Sequence, residues 1–478
     1  MRRARIPGLS LGVVVHGRRV VSRGFGYRDR ALRLPATSRT VYGIASMTKS
    51  FTALAILRLQ EDGRLRVTDP VVRYLPEFRT PEPRRTRAIT LHHFLTHSSG
   101  LPPLPSIYYT SARSLARDPP YDPKVARRVG IDPDHPPIDT YEGLLEFLAT
   151  ERYRLLGPPG AQFSYSNEAF GLLGAVIERV SGRTYERYVE DEILRPAGMR
   201  SSTFDTGVMF RQPEVTTLYS PHWTGSGRGW SASQDWWEDT CLRAAGALRT
   251  NLEDLFSYLE IYLGQGRVGR ERIVSRRSLA TMLRPAIEIQ PGLFYGYGIA
   301  VRPDYHGHRL AFHGGGLKGV SSEFAVVPDA GLGGAVLANA DGVPSGRILA
   351  GAINRYLGVP LESPFVPLPG RSPPPPSPAE LTGYCGWYCS GEGIWVQVSP
   401  RRGGLRADFR GIEATLRGLK LRPIGADRFV LRRRGESGHF EFVRERTRRI
   451  WAVKVDWRLL RRRDPRELSR ARFGRMVW

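Results

Sequence analysis

Cysteine, lysine and long apolar runs are all scarce in this chain. Three cysteines in 478 residues cannot form a complete set of internal disulfides, so nothing in the fold needs an oxidising compartment. No stretch approaches the ~18 consecutive apolar residues of a membrane-spanning helix. The opening Met1-Arg2-Arg3-Ala4-Arg5-Ile6-Pro7-Gly8 is basic, but His16 and Gly17 break the apolar run that follows, which excludes a signal peptide. Hydrophobic residues at 41% and charged residues at 24% are ordinary for globular proteins, so global disorder and collagen-like repeats are also excluded.

Charge is abundant, and of one sign. The formal net charge is +25, yet only five residues are lysine, so 66 of the 71 basic residues are arginine. That skew reads as codon bias rather than as a binding face. The excess is uneven: Ala379 to Trp478 holds 24 basic and 11 acidic residues. A basic C-terminal unit favours anionic surfaces. No nucleic-acid module motif accompanies it, so a solvated arginine surface is expected and a nucleic-acid partner is not.

Proline marks the domain organisation. Pro364 to Pro378 contains the run Pro373-Pro374-Pro375-Pro376, an extended polyproline segment that cannot join a packed element. It predicts a unit over 1–358, a linker over 359–378 and a second unit over 379–478. The first unit opens with strands at Leu9–Val15 and Arg19–Gly26, turns helical over Ser46–Leu59, and carries a mostly helical insertion over about 84–240. Helices are expected there over Tyr141–Ala149 and Glu168–Val180. Strands return at Tyr297–Val301, Arg309–Phe312, Glu323–Val327 and Gly333–Leu337, and a helix over Gly346–Tyr356 closes the unit. Strands at both ends predict an α/β fold: one antiparallel sheet flanked by helices. Beyond the linker, six short strands predict a small all-β barrel or sandwich, and Trp451, Val453, Val455 and Trp457 show period-two alternation.

Ser46-Met47-Thr48-Lys49 is a Ser-x-x-Lys tetrad, unique in the chain. One turn places the hydroxyl and the amine on one face. A serine hydroxyl needs a base to become a nucleophile, and a desolvated lysine loses part of its ~10.4 solution pKa and can serve. Two elements follow in order: Tyr165-Ser166-Asn167, after a turn-rich segment and before a helix, and His313-Gly314-Gly315-Gly316 at the end of a strand. A Tyr hydroxyl can relay protons, an Asn amide can hold a carbonyl, and glycines on an edge strand let a substrate backbone approach.

Ser-x-x-Lys, Tyr-x-Asn and a His-x-Gly in the place of Lys-Thr-Gly resemble the serine β-lactamase-related hydrolases. These comprise class C β-lactamases, D-alanyl-D-alanine carboxypeptidases, D-aminopeptidases and esterases of the same, peptidase S12-like type. Leu95 to Pro102, Pro196-Ala197-Gly198-Met199 and Ala245-Gly246-Ala247-Leu248 add to the likeness, which runs from about Ile6 to Leu357. The resemblance implies a β-lactamase/transpeptidase-like fold, with Ser46 as the acylated nucleophile and Lys49 and Tyr165 as the proton-handling pair. Asn167, His313, Gly315 and Gly316 would be substrate-binding, with N–H groups of Ser46 and Gly316 forming the oxyanion hole. Which of Lys49 and Tyr165 is the base stays open. Leu381-Thr382-Gly383-Tyr384 resembles the opening of the lipocalin-like barrel appended to some members, through which a homo-oligomer can form.

The implied reaction is two-step acyl transfer on a small-molecule or short-peptide ester or amide, with no metal and no organic cofactor. His313 stands where β-lactamases carry lysine, and an unperturbed imidazole is largely neutral at pH 7, which favours ester or amide hydrolysis over β-lactam or carboxypeptidase activity. The alternatives are a non-hydrolytic penicillin sensor with the same cleft and a basic barrel that binds an anionic polymer. A lipase-type reading of His313-Gly314-Gly315-Gly316 fails, because no Gly-x-Ser-x-Gly elbow follows it. His93 and His97 have metal-pair spacing but no glutamate between them. Cys385 and Cys389 read as structural thiols. Trp223, Trp230, Trp236 and Trp237 read as subdomain packing, with an apolar rim for bulky acyl groups as the sharper alternative. The tail Arg458–Arg475 reads as a frayed terminus or an amphipathic helix. A cytoplasmic protein is expected as the chain is written. The family usually carries a helix before the first strand, so a start codon placed late would leave room for an export signal upstream.

Overall fold

The computed structural model describes residues 6–117, 122–221, 230–367, 376–401, 404–411, 415–433, 436–445, 447–455 and 457–464. Met1–Arg5, Trp223, Pro373–Pro375 of the proline run and the tail beyond Asp464 therefore lie outside the described residues.

Strands β1 (Gly8–Val15) and β2 (Arg18–Asp29) form a hairpin whose turn places His16 and Gly17 at positive φ. Strand β3 (Leu34–Pro35) extends it. Far downstream come β4 (Ile287–Gln290), β5 (Leu293–Tyr295), β6 (Ala300–Tyr305), β7 (His308–Leu317), β8 (Val320–Val327) and β9 (Leu332–Ala338). Among the described residues they make one antiparallel sheet in the order β4-β5-β6-β7-β8-β9-β1-β2-β3. The two ends of the unit meet where β1 pairs with β9, Leu9 facing Ala338 and Val13 facing Gly334. Every residue of β8 and β9 is buried, because helices cover both faces of these central strands.

The longest helices among the described residues are α1 (Thr48–Glu61), α2 (Tyr141–Thr150), α3 (Asn167–Ser181), α4 (Leu252–Leu263) and α5 (Ser345–Leu357), with shorter helical segments between and after them. Helix α4 packs on one side of the sheet and α5 on the other. Helix α1 is buried on nearly all sides, which suits its Ala- and Leu-rich sequence. The expected helix over Ser46–Leu59 is corrected at its start. Ala45–Met47 is a 3₁₀ turn, and the α-helix begins at Thr48. The strand expected over Tyr297–Val301 begins only at Ala300, since Gly298 takes a positive φ against the Lys49 carbonyl.

The C-terminal unit is a closed barrel of eight strands rather than six: β10 (Gly386–Cys389), β11 (Trp395–Arg401), β12 (Gly404–Arg410), β13 (Thr415–Gly425), β14 (Arg428–Arg433), β15 (Glu436–Arg444), β16 (Ile450–Val455) and β17 (Arg458–Arg463). The start of the arginine-rich tail is neither frayed nor helical. Arg458–Arg463 is the closing strand, paired with β16 on one side and β10 on the other. Its hydrophobic pattern is masked by arginines, but Leu459 and Leu460 are buried. Val396, Val398, Leu405, Phe429, Phe440, Phe442 and Val453 fill the barrel.

Phe365 lies inside the expected linker yet is buried against Phe312 and Tyr305, so packing of the first unit runs past residue 358. The barrel docks on that unit. Trp395 Nε1 donates to Val129 O at 2.8 Å, Gly391 N to Pro103 O at 2.9 Å, and Lys454 Nζ to Ile289 O at 3.3 Å. Among the described residues no helix is long and apolar enough to cross a membrane.

Candidate active site

Ser46 is presented by a strained turn. Ala45, just before it, adopts φ 44°, a left-handed conformation that costs a non-glycine residue about 1–3 kcal/mol. The 3₁₀ turn runs straight into α1, and residues three apart share a face there, so Ser46 and Lys49 stand side by side. Lys49 Nζ donates to Ser46 Oγ at 3.1 Å, to Asn167 Oδ1 at 2.9 Å and to Ala245 O at 2.7 Å. The amine is wholly buried, and desolvation, with repulsion from Arg458, drives its pKa well below the ordinary lysine value.

Tyr165 and Asn167 bracket the start of α3. Ser166 caps that helix by accepting from Ala169 N, which fixes the phenol on one side of the cap and the amide on the other. The Tyr165 hydroxyl shares a hydrogen bond with Ser46, and burial pushes the phenol up so that it stays neutral. His97 supports it from behind, its ring 4.1 Å from the Tyr165 ring and its Nδ1 accepting from Ser166 N at 3.1 Å. His93 bonds instead to Thr90, so the two histidines serve separate local contacts. Glu168, next in the helix, accepts from Ser106 and Ser166 hydroxyls, and burial raises its carboxyl to about 6.

His313 projects from β7 into the same cavity. Its Nδ1–H donates to Gly314 O at 2.6 Å and its Nε2 accepts from Tyr295 OH at 2.9 Å. Burial and the nearby Lys49 lower it to about 3, so the ring is neutral across the ordinary pH range. Gly315 packs against the turn that carries Ser46, where a Cβ would strike Ile44 O. Gly316 has open space around it and lines the cleft. The structure thus gathers Ser46, Lys49, Tyr165, Asn167, His313 and Gly316 at one place. Both ends of the Asn167 amide are already engaged, its Nδ2 donating to Glu392 Oε1 at 3.2 Å.

Glu392 and Arg458 are barrel residues that the sequence reading missed. Glu392 precedes β11 and Arg458 begins β17, and they form an ion pair with Nε to Oε2 of 2.5 Å. The Arg458 guanidinium lies 4.3 Å over the Tyr165 ring, and Lys49 Nζ lies 4.8 Å from the centre of that ring. Trp457, beside it, stands edge-on to His313 at 5.3 Å. A permanent cation therefore enters the cleft from the barrel, close to the imidazole that stands in a lysine's place. The available signals were slight: a lone acid between Gly391 and Gly393, and an arginine directly after the alternating tryptophans.

Two cavities meet at Ser46. The smaller, about 370 Å³, lies toward Tyr108, Asn167, Asp239 and Glu392, and the larger, about 1030 Å³, passes Tyr165, His313, Trp457 and Glu323. Gly316, Ile394, Phe409 and Arg458 border both. Of the tryptophan cluster, the described Trp230, Trp236 and Trp237 line neither one. Trp236 packs into a small core with Val41, Met209, Leu218 and Val320.

A family model described as Beta-lactamase matches residues 1–357. The chain belongs to that family. The Beta-lactamase match covers the sheet, the insertion and every site residue contributed by the first unit. Curated proteins similar to this chain include Protein flp of Staphylococcus aureus (strain MW2), 31% identical over 206 residues that make up 43% of this chain and 36% of that protein. Esterase EstB of Burkholderia gladioli is 35% identical over 224 residues, 45% of this chain and 50% of the esterase. The chain spans between about a third and a half of the length of these relatives. Among solved structures, the octameric penicillin-binding protein homologue from Pyrococcus abyssi is 29% identical with a TM-score of 0.65, covering 96% of this chain and 97% of that one. A D-stereospecific amidohydrolase from Streptomyces sp. is 26% identical with a TM-score of 0.54 over 70% of this chain and 90% of that one.

Proposed function

We propose that the chain is a serine hydrolase that cleaves ester or amide bonds through an acyl-enzyme on Ser46. The observation that carries this reading is the buried Lys49 amine, held against the Ser46 hydroxyl by Asn167 and Ala245. Burial favours its neutral form, and a neutral amine at this position accepts the hydroxyl proton as Ser46 Oγ bonds to the substrate carbonyl carbon. The opposite pKa directions of Lys49 and Tyr165 support the amine as base and the neutral phenol as donor. The carbonyl electron pair moves to oxygen, which the N–H groups of Ser46 and Gly316 would stabilise. As the tetrahedral adduct collapses, the bond to the leaving alcohol or amine breaks and that group takes a proton from the Lys49–Tyr165 pair. Water repeats the sequence on the acyl-enzyme and frees Ser46.

The substrate reading is an esterase or a D-aminopeptidase-like peptidase. A neutral His313 supports it, as does the similarity to an esterase and to a D-stereospecific amidohydrolase. Covalent labelling by a fluorophosphonate is expected at Ser46 and absent from Ser46→Ala. A panel of p-nitrophenyl esters, D-amino-acid amides and nitrocefin then sets the preference. Labelling of Ser46 without turnover of any of them would favour a sensor over an enzyme, and stoichiometric labelling of Ser46→Ala would sink the assignment.

A further inference from the structure

Glu323 is a buried carboxyl that nothing in the reaction above uses. It lies on β8 opposite Gly314 of β7, and its carboxyl fills the space that a side chain on Gly314 would occupy. Only 9% of the residue is exposed. Among the described residues no hydrogen bond or ion pair reaches either oxygen, and burial alone pushes the group up to about 8. Yet it is not sealed in. Glu323 lines the larger cavity together with Ser46, Tyr165, His313 and Trp457, because the glycines of β7 leave the passage open. The neighbouring Ser322 Oγ donates to Ile44 O at 2.8 Å, which ties this stretch of β8 to the turn carrying the nucleophile.

The charges around the cavity leave Glu323 unmatched. Arg458 is neutralised by Glu392. Arg347 of α5 and Glu362 stand on the exposed wall with opposite signs, and His313 and Tyr165 are neutral. Burying a carboxyl without a partner is costly, and a bound cation removes that cost.

We propose that Glu323 determines specificity by holding the protonated primary amine of a substrate whose carbonyl is at Ser46. The substrates are thus esters or amides with an amino group on the acyl side, a few bonds from the carbonyl. This deepens the serine-hydrolase reading and rests on it. The binding step balances as ammonium plus protonated carboxyl giving an ion pair and one proton released to solvent. Affinity for the amine therefore rises with pH, by up to about tenfold per pH unit, until the carboxyl is ionised without help.

The test uses the full chain and boronic acids, which add reversibly to a nucleophilic serine. ω-Aminoalkyl boronic acids of four to seven carbons are compared with their alkyl and ω-carboxyalkyl counterparts for protection of Ser46 against a fluorophosphonate. At least one amino compound is expected to protect at about tenfold lower concentration than its alkyl partner near pH 8. That advantage shrinks near pH 6 and disappears in Glu323→Gln. Equal protection by amino and alkyl compounds overturns the proposal, as does preference for the carboxylates or an amino advantage that survives Glu323→Gln. Should the variant not fold, the pH dependence in the native chain decides alone, a flat or falling amino advantage overturning it. Failure of the fluorophosphonate to label Ser46 at all would instead overturn the hydrolase reading.

Discussion

Removing the Arg458 charge tests whether the barrel sets the chemistry of the cleft. Lys49 and Arg458 sit on the same phenol ring, 4.8 and 4.3 Å from its centre, so their charges are no more than about 9 Å apart. At an effective dielectric of about 20 the repulsion is about 1.8 kcal/mol, which corresponds to about 1.3 pH units in the titration of the amine. In the proposed reaction Lys49 must be neutral to accept the Ser46 proton, so activity is expected to rise with pH through its lowered pKa. Arg458→Met removes the repulsion and leaves Glu392 as a nearby anion, and both changes raise the amine's pKa. The ascending limb of kcat/KM against pH for a p-nitrophenyl ester is expected to move up by one unit or more. Glu392→Gln has the reverse effect, because it leaves Arg458 unopposed, and the same limb moves down. Loss of structure alone would not send two halves of one ion pair in opposite directions. Shifts of the same sign, or none in either variant, would refute the electrostatic argument.

Four further outcomes follow from the packing and the titrations. The Glu323 carboxyl has a folded-state value near 8 against an ordinary 4.5, so its contribution is stabilising at low pH and is lost as pH rises from about 4.5 to 8. Glu323→Gln should then raise the unfolding free energy at pH 8.5 and leave it nearly unchanged at pH 4, with a ceiling of about 5 kcal/mol in denaturant titrations. Trp236→Ala should cost about 3–5 kcal/mol as a buried large-to-small change without altering preference for long over short acyl esters. Trp457→Ala, at the cavity wall, should alter that preference in the same ester series. Trp395→Phe removes the donor to Val129 O and should destabilise by about 1–3 kcal/mol, read as a lower melting temperature.

Much of this architecture is visible in residue patterns, and the gaps have identifiable causes. β1 and β9 announce themselves because runs such as Val13 to Val15 and Ala335 to Ala338 are apolar at consecutive positions, the pattern of strands covered on both faces. An antiparallel sheet with a helical insertion and a separate all-β unit were expected, but with six of the nine sheet strands; Leu34–Pro35, Ile287–Gln290 and Leu293–Tyr295 are two to four residues long and went unread. Two barrel strands were overlooked. β17 carries four arginines in six residues, and only Leu459 and Leu460 betray an inward face. β10 is four residues long and starts at a glycine, too short for alternation to register. The tetrad at Ser46 and the Tyr165 and His313 segments were identifiable because their chemistry is local or motif-like. Glu392 and Arg458 were not, since their place in the cleft depends on how the barrel lands on the insertion, a long-range docking that no spacing encodes. The start of α1 slipped by two residues because the left-handed Ala45 is a cost imposed by tertiary context rather than by preference.

Arg458 is the first residue of the strand that seals the barrel, and strand residues alternate between inside and outside. A slip of one position in that seam would swing the guanidinium away from the phenol while leaving the Ser46 turn untouched. On the proposed reaction, a condition that opens the barrel while the sheet stays folded is therefore expected to silence hydrolysis.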